Sequence, residues 1–279
     1  PAQVLYGSLV GNVTDSSGAA IPSAAIKIVQ QETNLTRETK STGLGAYSFS
    51  TLPAGTYSIT VTKEGFQTVE NRNVEITTNK VVRVDVGLAL GQLTQNVEVS
   101  GVAEALQADR AEVRGELGTD AFNNLPIPLG RTFQQLLVTL PGFSPATRGG
   151  SSITNPSKAL TFNVNGGQRT STGMRIDGAS AVGNWRAESA TYAPSIEAVD
   201  TVNAVTSSFD AEEGIAGGAA INVTTKSGTN ILHGSLFEYH NDNALNARPY
   251  FLPAGQNKPK RIMNQFGGTI GGPIVRDKL

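Results

Sequence analysis

The chain has 279 residues, with 22 Lys+Arg against 23 Asp+Glu and a net charge of −1. That length allows about two domains, and the charge balance argues against an electrostatic nucleic-acid binder. Cysteine is absent, which excludes disulfides, thiol catalysis and cysteine-ligated metals. No apolar run approaches the roughly 18 residues of a membrane helix, an exclusion that leaves a membrane β-barrel open. Glycine is high at 31, and with abundant Ser, Thr and Asn it favours strands and turns over long helices. A hydrophobic share of 38% is too large for a disordered chain.

Short alternating runs fill the first ninety residues. Leu9, Gly11 and Val13 share one strand face, and Asp15-Ser-Ser-Gly18 supplies the turn that follows. Ala24, Ile26 and Ile28 form the next buried face, and the polar run 35–40 suits an edge strand. Tyr47 and Phe49, then Tyr57, Ile59 and Val61, then Val74 and Ile76, then Val82, Val84, Val86 and Leu88 complete seven predicted strands. Short strands with regular turns predict a β-sandwich of the immunoglobulin-like kind. Several of these residues also carry a resemblance: Gly11-Asn-Val-Thr-Asp15, Pro22-Ser-Ala24, Gly45-Ala-Tyr47-Ser-Phe49, Leu52-Pro-Ala-Gly55-Thr-Tyr57 and Gly65-Phe66. Over about residues 7–88 the segment resembles the carboxypeptidase regulatory-like, transthyretin-type domain, with Leu44 departing from the Asp or Asn usual there. The resemblance implies a spacer or docking module. It implies no enzyme, since the segment holds no histidine for a zinc site.

A linker over 91–104 contains one alternating pentapeptide, Asn96-Val-Glu-Val-Ser100. Beyond it, Thr119-Asp120 is expected to cap a short helix ending at Leu125. Phe133, Leu136, Leu137 and Leu140 stand at i, i+3, i+4 and i+7, which predicts an amphipathic helix stopped by Pro141-Gly142. Four strands are expected, at Leu160–Asn165, Met174–Ile176, Val199–Val205 and Ala219–Thr225, each bounded by turn residues. These elements predict a small α+β unit with a modest core.

Phe162-Asn-Val-Asn-Gly166, Arg175-Ile-Asp-Gly178, Pro194-Ser-Ile-Glu-Ala-Val-Asp200, Phe209-Asp-Ala-Glu-Glu-Gly214 and the run from Gly217 to Gly228 resemble the plug of TonB-dependent outer-membrane receptors. A sandwich before a plug resembles the Oar-like receptors and, more distantly, the glycan-importing SusC-like ones. The resemblance implies a plug over 105–230 inside a 22-stranded barrel in the outer membrane of a Gram-negative bacterium, with the sandwich, residues 1–90, in the periplasm. It also implies that Asn96–Ser100 is the coupling strand (Asn96, Val97, Glu98, Val99, Ser100), which pairs with a TonB-type partner's sheet edge. The loop after Asp177-Gly178 is implied to face outward, which makes Trp185, Arg186 and Tyr192 candidate cargo contacts. Trp185 has the alternative of packing on a barrel wall.

Ile231–His240 and Ile262–Ile270 read as strands. In the second, Phe266, Gly268 and Ile270 alternate with Gln265, Gly267 and Thr269, as lipid and lumen faces would. Tyr239, Tyr250 and Phe251 are candidates for an interfacial aromatic girdle. The segments 233–239 and 264–273 again resemble the start of an Oar-like barrel, so 231–279 is expected to be a barrel's beginning. Starting at Pro1 and ending at Leu279, the chain is expected to be part of a longer protein.

Other motifs carry no chemistry. His233 and His240 are seven apart and fall on opposite strand faces, which argues against a shared metal. Gly214–Gly218 lacks the Gly-Lys-Ser/Thr ending of a phosphate loop, and Gly-x-Ser-x-Gly is missing. No cofactor, metal or catalytic residue is expected, and the chain is not read as an enzyme. The expected function is energy-coupled passage of an unidentified cargo (glycan, peptide or chelate) through a plugged barrel. The alternative is a surface adhesion or glycan-binding sandwich without transport, and the coding sequence downstream of Leu279 discriminates the two.

Overall fold

The computed structural model describes residues 6–78, 80–91, 96–99, 111–127, 131–145, 160, 162–183, 189–209, 213 and 217–276. The first unit is the sandwich. Its strands are β1 (Tyr6–Asp15), β2 (Ala25–Gln30), β3 (Thr36–Lys40), β4 (Ala46–Pro53), β5 (Gly55–Thr62), β6 (Thr68–Ile76), β7 (Val81–Arg83) and β8 (Val86–Leu88). One sheet runs β4-β1-β7, with β8 also on β1, and the other runs β3-β2-β5-β6 and continues into β9 (Asn96–Val99). Leu9, Val13, Ala24, Ile26, Ile28, Ile59, Val61 and Ile76 meet between the sheets, all essentially without solvent exposure. The polar β3 takes the solvent edge.

The run 82–88, expected as one strand, is two. Val84 N–H still donates to Val10 O at 2.9 Å. Beyond it, the Asp85 carboxylate replaces a ladder carbonyl and accepts the Asn12 N–H at 2.8 Å, which interrupts regular pairing. The interruption lies beside Gly11. There the Tyr47 hydroxyl donates to Val84 O at 2.6 Å, joining β4 to the β7–β8 connection across the middle strand. A side chain at position 11 would run into the Val84 carbonyl and the Tyr47 ring, so glycine is demanded here by close approach. Burial raises the Tyr47 hydroxyl well above the usual tyrosine range, and burial pushes Tyr57 up to about 12. Both hydroxyls stay protonated as donors, Tyr57 to Pro53 O at 2.8 Å.

The second unit is α+β. A five-stranded sheet has the order β10 (Val113–Leu117), β15 (Val199–Ser207), β16 (Ala220–Thr225), β13 (Gly173–Ile176) and β14 (Ala179–Ser180). Only the β13–β16 pair is parallel. A separate ladder joins β11 (Phe143–Pro145) to β12 (Phe162–Val164), with Phe143 and Phe162 edge to face. Phe133, Leu136, Leu137, Leu160, Val199, Val202 and Ile221 fill the core.

Two local expectations fail in detail. The segment Phe133–Thr139 is a 3-10 helix, closed by bonds such as Leu140 N–H to Leu137 O at 3.0 Å. Apolar residues three and four apart suit both helix types, and a short piece ending before Pro141 tightens readily. The helix α1 (Thr119–Asn124) forms where expected, but its N-cap is Gly118 and no side chain caps it. The Thr119 hydroxyl instead donates to Asp200 O at 3.4 Å.

The third element is a hairpin, β17 (His233–Asp242) against β18 (Ile262–Gly271), in unbroken antiparallel register from His233↔Gly271 to Asp242↔Ile262. Among the described residues, Lys80 pairs with Glu116 at 3.4 Å and Asn230 N–H donates to Glu32 O at 3.0 Å, contacts that tie the first unit to the rest.

Gly11→Ala is expected to destabilise the sandwich by about 1–3 kcal/mol, the range of an overpacked core, read as a lower urea midpoint at unchanged slope. A wild-type midpoint would show that the β1–β7 approach is looser than described.

Candidate functional site

The extended segment expected over Asn96–Ser100 is a strand over its described residues. β9 (Asn96–Val99) lies parallel to β6, with Thr68↔Asn96, Val69↔Val97, Glu70↔Glu98 and Asn71↔Val99 as register partners. Ser100 lies outside the described residues. The preceding chain already follows the same edge: Gln67 N–H donates to Ala89 O at 2.9 Å, Phe66 bridges Leu90, and Gly91 N–H reaches Gly65 O at 3.3 Å. Past Asn71, β6 bends. Its register with β5 shifts between Tyr57 and Ile59, and Asn73 takes φ 60°, so the edge beyond Asn71 no longer offers a straight template.

The loop after Asp177-Gly178 is tied at its base. Val182 bridges Ala190, Gly183 N–H donates to Ser189 O at 2.7 Å, and Thr191 N–H donates to Ala181 O at 2.8 Å. Tyr192 follows this base and is 63% exposed. Trp185 and Arg186 lie outside the described residues. Asp177-Gly178 is a turn, as its residue types suggest. Its carboxylate accepts the Thr225 N–H at 2.9 Å and hydroxyl at 2.7 Å, which ties the end of β13 to β16.

A third constellation joins the α+β unit to the hairpin. The Tyr239 hydroxyl donates to Glu197 Oε1 at 2.6 Å. Arg131 reaches the same oxygen at 3.4 Å, and its guanidinium carbon sits 3.8 Å from the Tyr239 ring centroid. One carboxylate thus receives a phenol and a cation that also covers the phenol's ring. Tyr239 therefore does not face outward as a girdle residue. It stands on the opposite face from Leu236 by strand parity, and Glu197 holds it. Tyr250 and Phe251 lie between the two strands, almost fully exposed and packed edge to face. The triad joins positions 131, 197 and 239, and no local pattern links residues so far apart.

The hairpin's two faces differ. Leu236, Phe266 and Ile270 are 93%, 78% and 86% exposed on one face, which also carries Glu238, His240 and Asn264. The other carries Ser235 hydrogen-bonded to Thr269 at 2.8 Å, together with Phe237, Tyr239 and Gln265. His233 and His240 are not brought together: His240 Nδ1 lies 2.6 Å from Asn264 Oδ1, and His233 Nδ1 lies 2.8 Å from Ile231 O. Among the described residues, no cluster of three His, Cys, Asp or Glu could hold a metal. Gly217 and Gly218 both donate to Ser171 O at 2.9 Å, a close backbone approach, while 214–216 lie outside the described residues. Burial, aided by neighbouring Glu116, raises the Glu75 and Asp200 carboxyls above the ordinary range. Each costs stability when ionised, and that cost fades as pH falls through the raised value towards the unfolded one.

Residues 8–89 match the carboxypeptidase regulatory-like domain, and residues 224–279 match an outer membrane β-barrel domain. A TonB-dependent transporter, Oar of Myxococcus xanthus, is 28% identical over 302 residues, covering 100% of this chain and 27% of that protein. The chain resembles an Oar-type, TonB-dependent transporter along its whole length. It spans about a quarter of that Oar relative. Solved structures give shorter likenesses: the TIE protein of Bacillus anthracis (15% identity, TM-score 0.27, 30% of this chain and 16% of that one) and the major pilin SpaD of Corynebacterium diphtheriae (16% identity, TM-score 0.26, 30% and 32%). In this Oar-like chain the barrel-domain match covers the whole β17–β18 hairpin.

A double-mutant cycle on Tyr239→Phe and Glu197→Gln is expected to show coupling of about 1 kcal/mol, reduced from a fully buried charged bond by partial exposure. The measurement is urea-induced release of the α+β unit from the hairpin in the full-length protein. Additive effects would remove the contact from the account.

Proposed function

We propose that this chain supplies the periplasmic sandwich, the plug (105–230) and the first barrel strands (from 231) of an energy-coupled outer-membrane receptor. The supporting observation is the two-faced hairpin. Exposed Leu236, Phe266 and Ile270 suit lipid on one face, which also carries Glu238 opposite Phe266 and the His240–Asn264 pair, while the opposite face seats Tyr239 on Glu197 of the α+β unit. Alternation of this kind is what a barrel wall around a plug requires. In lipid every strand edge must be paired, so such a hairpin works only within a closed wall.

Cargo meets the plug at the loop carrying Trp185, Arg186 and Tyr192. The strand Asn96–Ser100 pairs with the sheet edge of a TonB-type partner through main-chain bonds. Tension then reaches β10, the first strand of the plug sheet. β10 is an edge strand bonded only to β15 among the described residues. Pulling from its Val113 end peels that ladder bond by bond, which needs less force than shearing all bonds together. The buried Arg114–Glu112 pair at this end, 2.6 Å apart, regains hydration on extraction and lowers the work further. No covalent chemistry is involved.

Deletion of 96–100 from the full-length receptor is expected to abolish energised cargo uptake while leaving cargo binding and outer-membrane insertion intact. Uptake at the wild-type rate would overturn the coupling assignment.

A further inference from the structure

We propose that the segment joining β17 to β18, residues 243–261, is a docking surface for the phosphorylated headgroups of outer-leaflet glycolipid. This inference rests on the barrel-wall reading of the hairpin and adds what its far rim touches. The first observation is charge. Residues 243–261 hold Arg248, Lys258, Lys260 and Arg261 and no Asp or Glu, in a chain of net charge −1. Asp242, at the strand end, already accepts the Ala244 N–H at 2.8 Å. Arg248 donates to the carbonyls of Leu252 and Pro253, and Lys258 to those of Asn243 and Asn246. Carbonyls are neutral, so both charges stay uncompensated while their bonds fix the segment's shape. Among the described residues, none of the four cations forms an ion pair.

The second observation is position. β17 and β18 have 10 residues each, matching the roughly 9–11 that a tilted strand needs to cross the hydrocarbon core. The His233–Gly271 end lies towards the sandwich, because Asn230 N–H donates to Glu32 O at 3.0 Å. The segment therefore begins at the opposite boundary of the core, which is the outer leaflet when the sandwich is periplasmic. There Tyr250 and Phe251 stand exposed as an edge-to-face pair, their ring centroids 5.2 Å apart. Aromatic rings settle at the headgroup level, and basic residues beside them attract anionic headgroups. Alternation continued from Ile262 puts Lys260 on the side of Phe266, and Arg261 on the other. A cargo in the lumen would lie across the wall from Lys260, so placement favours lipid as the occupant. Pro249, Pro253 and Pro259, with the carbonyl bonds of Arg248 and Lys258, pre-organise the surface and reduce the ordering cost of binding.

The test titrates purified full-length receptor, in neutral detergent, with lipid A bearing both phosphates and with the same lipid A stripped of them. Wild type is expected to bind the phosphorylated form at least about tenfold more tightly, a preference that shrinks as salt is raised. A surface cation is worth about a fivefold change in affinity. Lys260→Gln is therefore expected to weaken binding of the phosphorylated form about fivefold and Lys260→Glu about thirtyfold, with Lys260→Arg near wild type. Tyr250→Ser together with Phe251→Ser is expected to weaken both lipid forms alike. Equal binding of the two lipid forms, or unchanged binding by Lys260→Glu, would overturn the proposal. Loss of cargo binding by Lys260→Glu with lipid binding intact would overturn it too, and would assign the segment to cargo. Failure of the wall reading itself shows separately: the full-length protein would then stay in the aqueous phase of a detergent partition, before any lipid A is added.

Discussion

A sheet edge presents unpaired N–H and C=O groups, and the placement of every strand in this chain depends on how those groups are satisfied. Water suffices at β3, whose Thr-Arg-Glu-Thr-Lys sequence keeps both faces polar. At β6 the chain covers the edge itself, first with Ala89–Gly91 and then with β9. For the β17–β18 hairpin water is a poor answer where Leu236, Phe266 and Ile270 stand exposed on one face, although Glu238, His240 and Asn264 share that face. The same requirement thus produces a solvated edge, a self-covered edge and an edge suited to a closed wall. Those three solutions set the order of the chain's parts.

Rigid anchors lie between these edges. Tyr47 reaches across Gly11 to Val84 and locks the smaller sheet of the sandwich, so the β6 edge hangs from a firm body. Arg131, Glu197 and Tyr239 do the corresponding job between the α+β unit and the hairpin. Both anchors rely on a donating tyrosine hydroxyl, buried at Tyr47 and partly exposed at Tyr239. In each case the aromatic ring supplies apolar contact while the hydroxyl fixes direction.

Alternation made the sandwich legible from sequence. Ala24, Ile26 and Ile28 and then Tyr57, Ile59 and Val61 are all buried on the face that period two assigns them. The split of 82–88 was not legible, since nothing local says that the Asp85 side chain will stand in for a carbonyl. Helical spacing at 133–140 marked a buried face correctly but could not tell a 3-10 helix from an α-helix. The short strands β10, β11 and β14 carry too few residues for a pattern. Tyr239 shows the remaining limit: aromatic type suggested an interface, whereas parity on β17 together with Glu197 placed it inward. Strand character at 96–99 was legible, and its parallel partner was not, because an edge accepts many sequences.

The most direct measurement of the central reading is lipid accessibility along β18. Nitroxide labels placed singly at 265, 266, 269 and 270 of the full-length receptor, reconstituted in bilayers, report collisions with oxygen, which concentrates in lipid, and with a water-soluble nickel chelate. The account predicts high oxygen and low nickel accessibility at Phe266 and Ile270, and the loss of that lipid signature at Gln265 and Thr269. Uniform nickel accessibility at all four positions would contradict it, and would leave the hairpin in water.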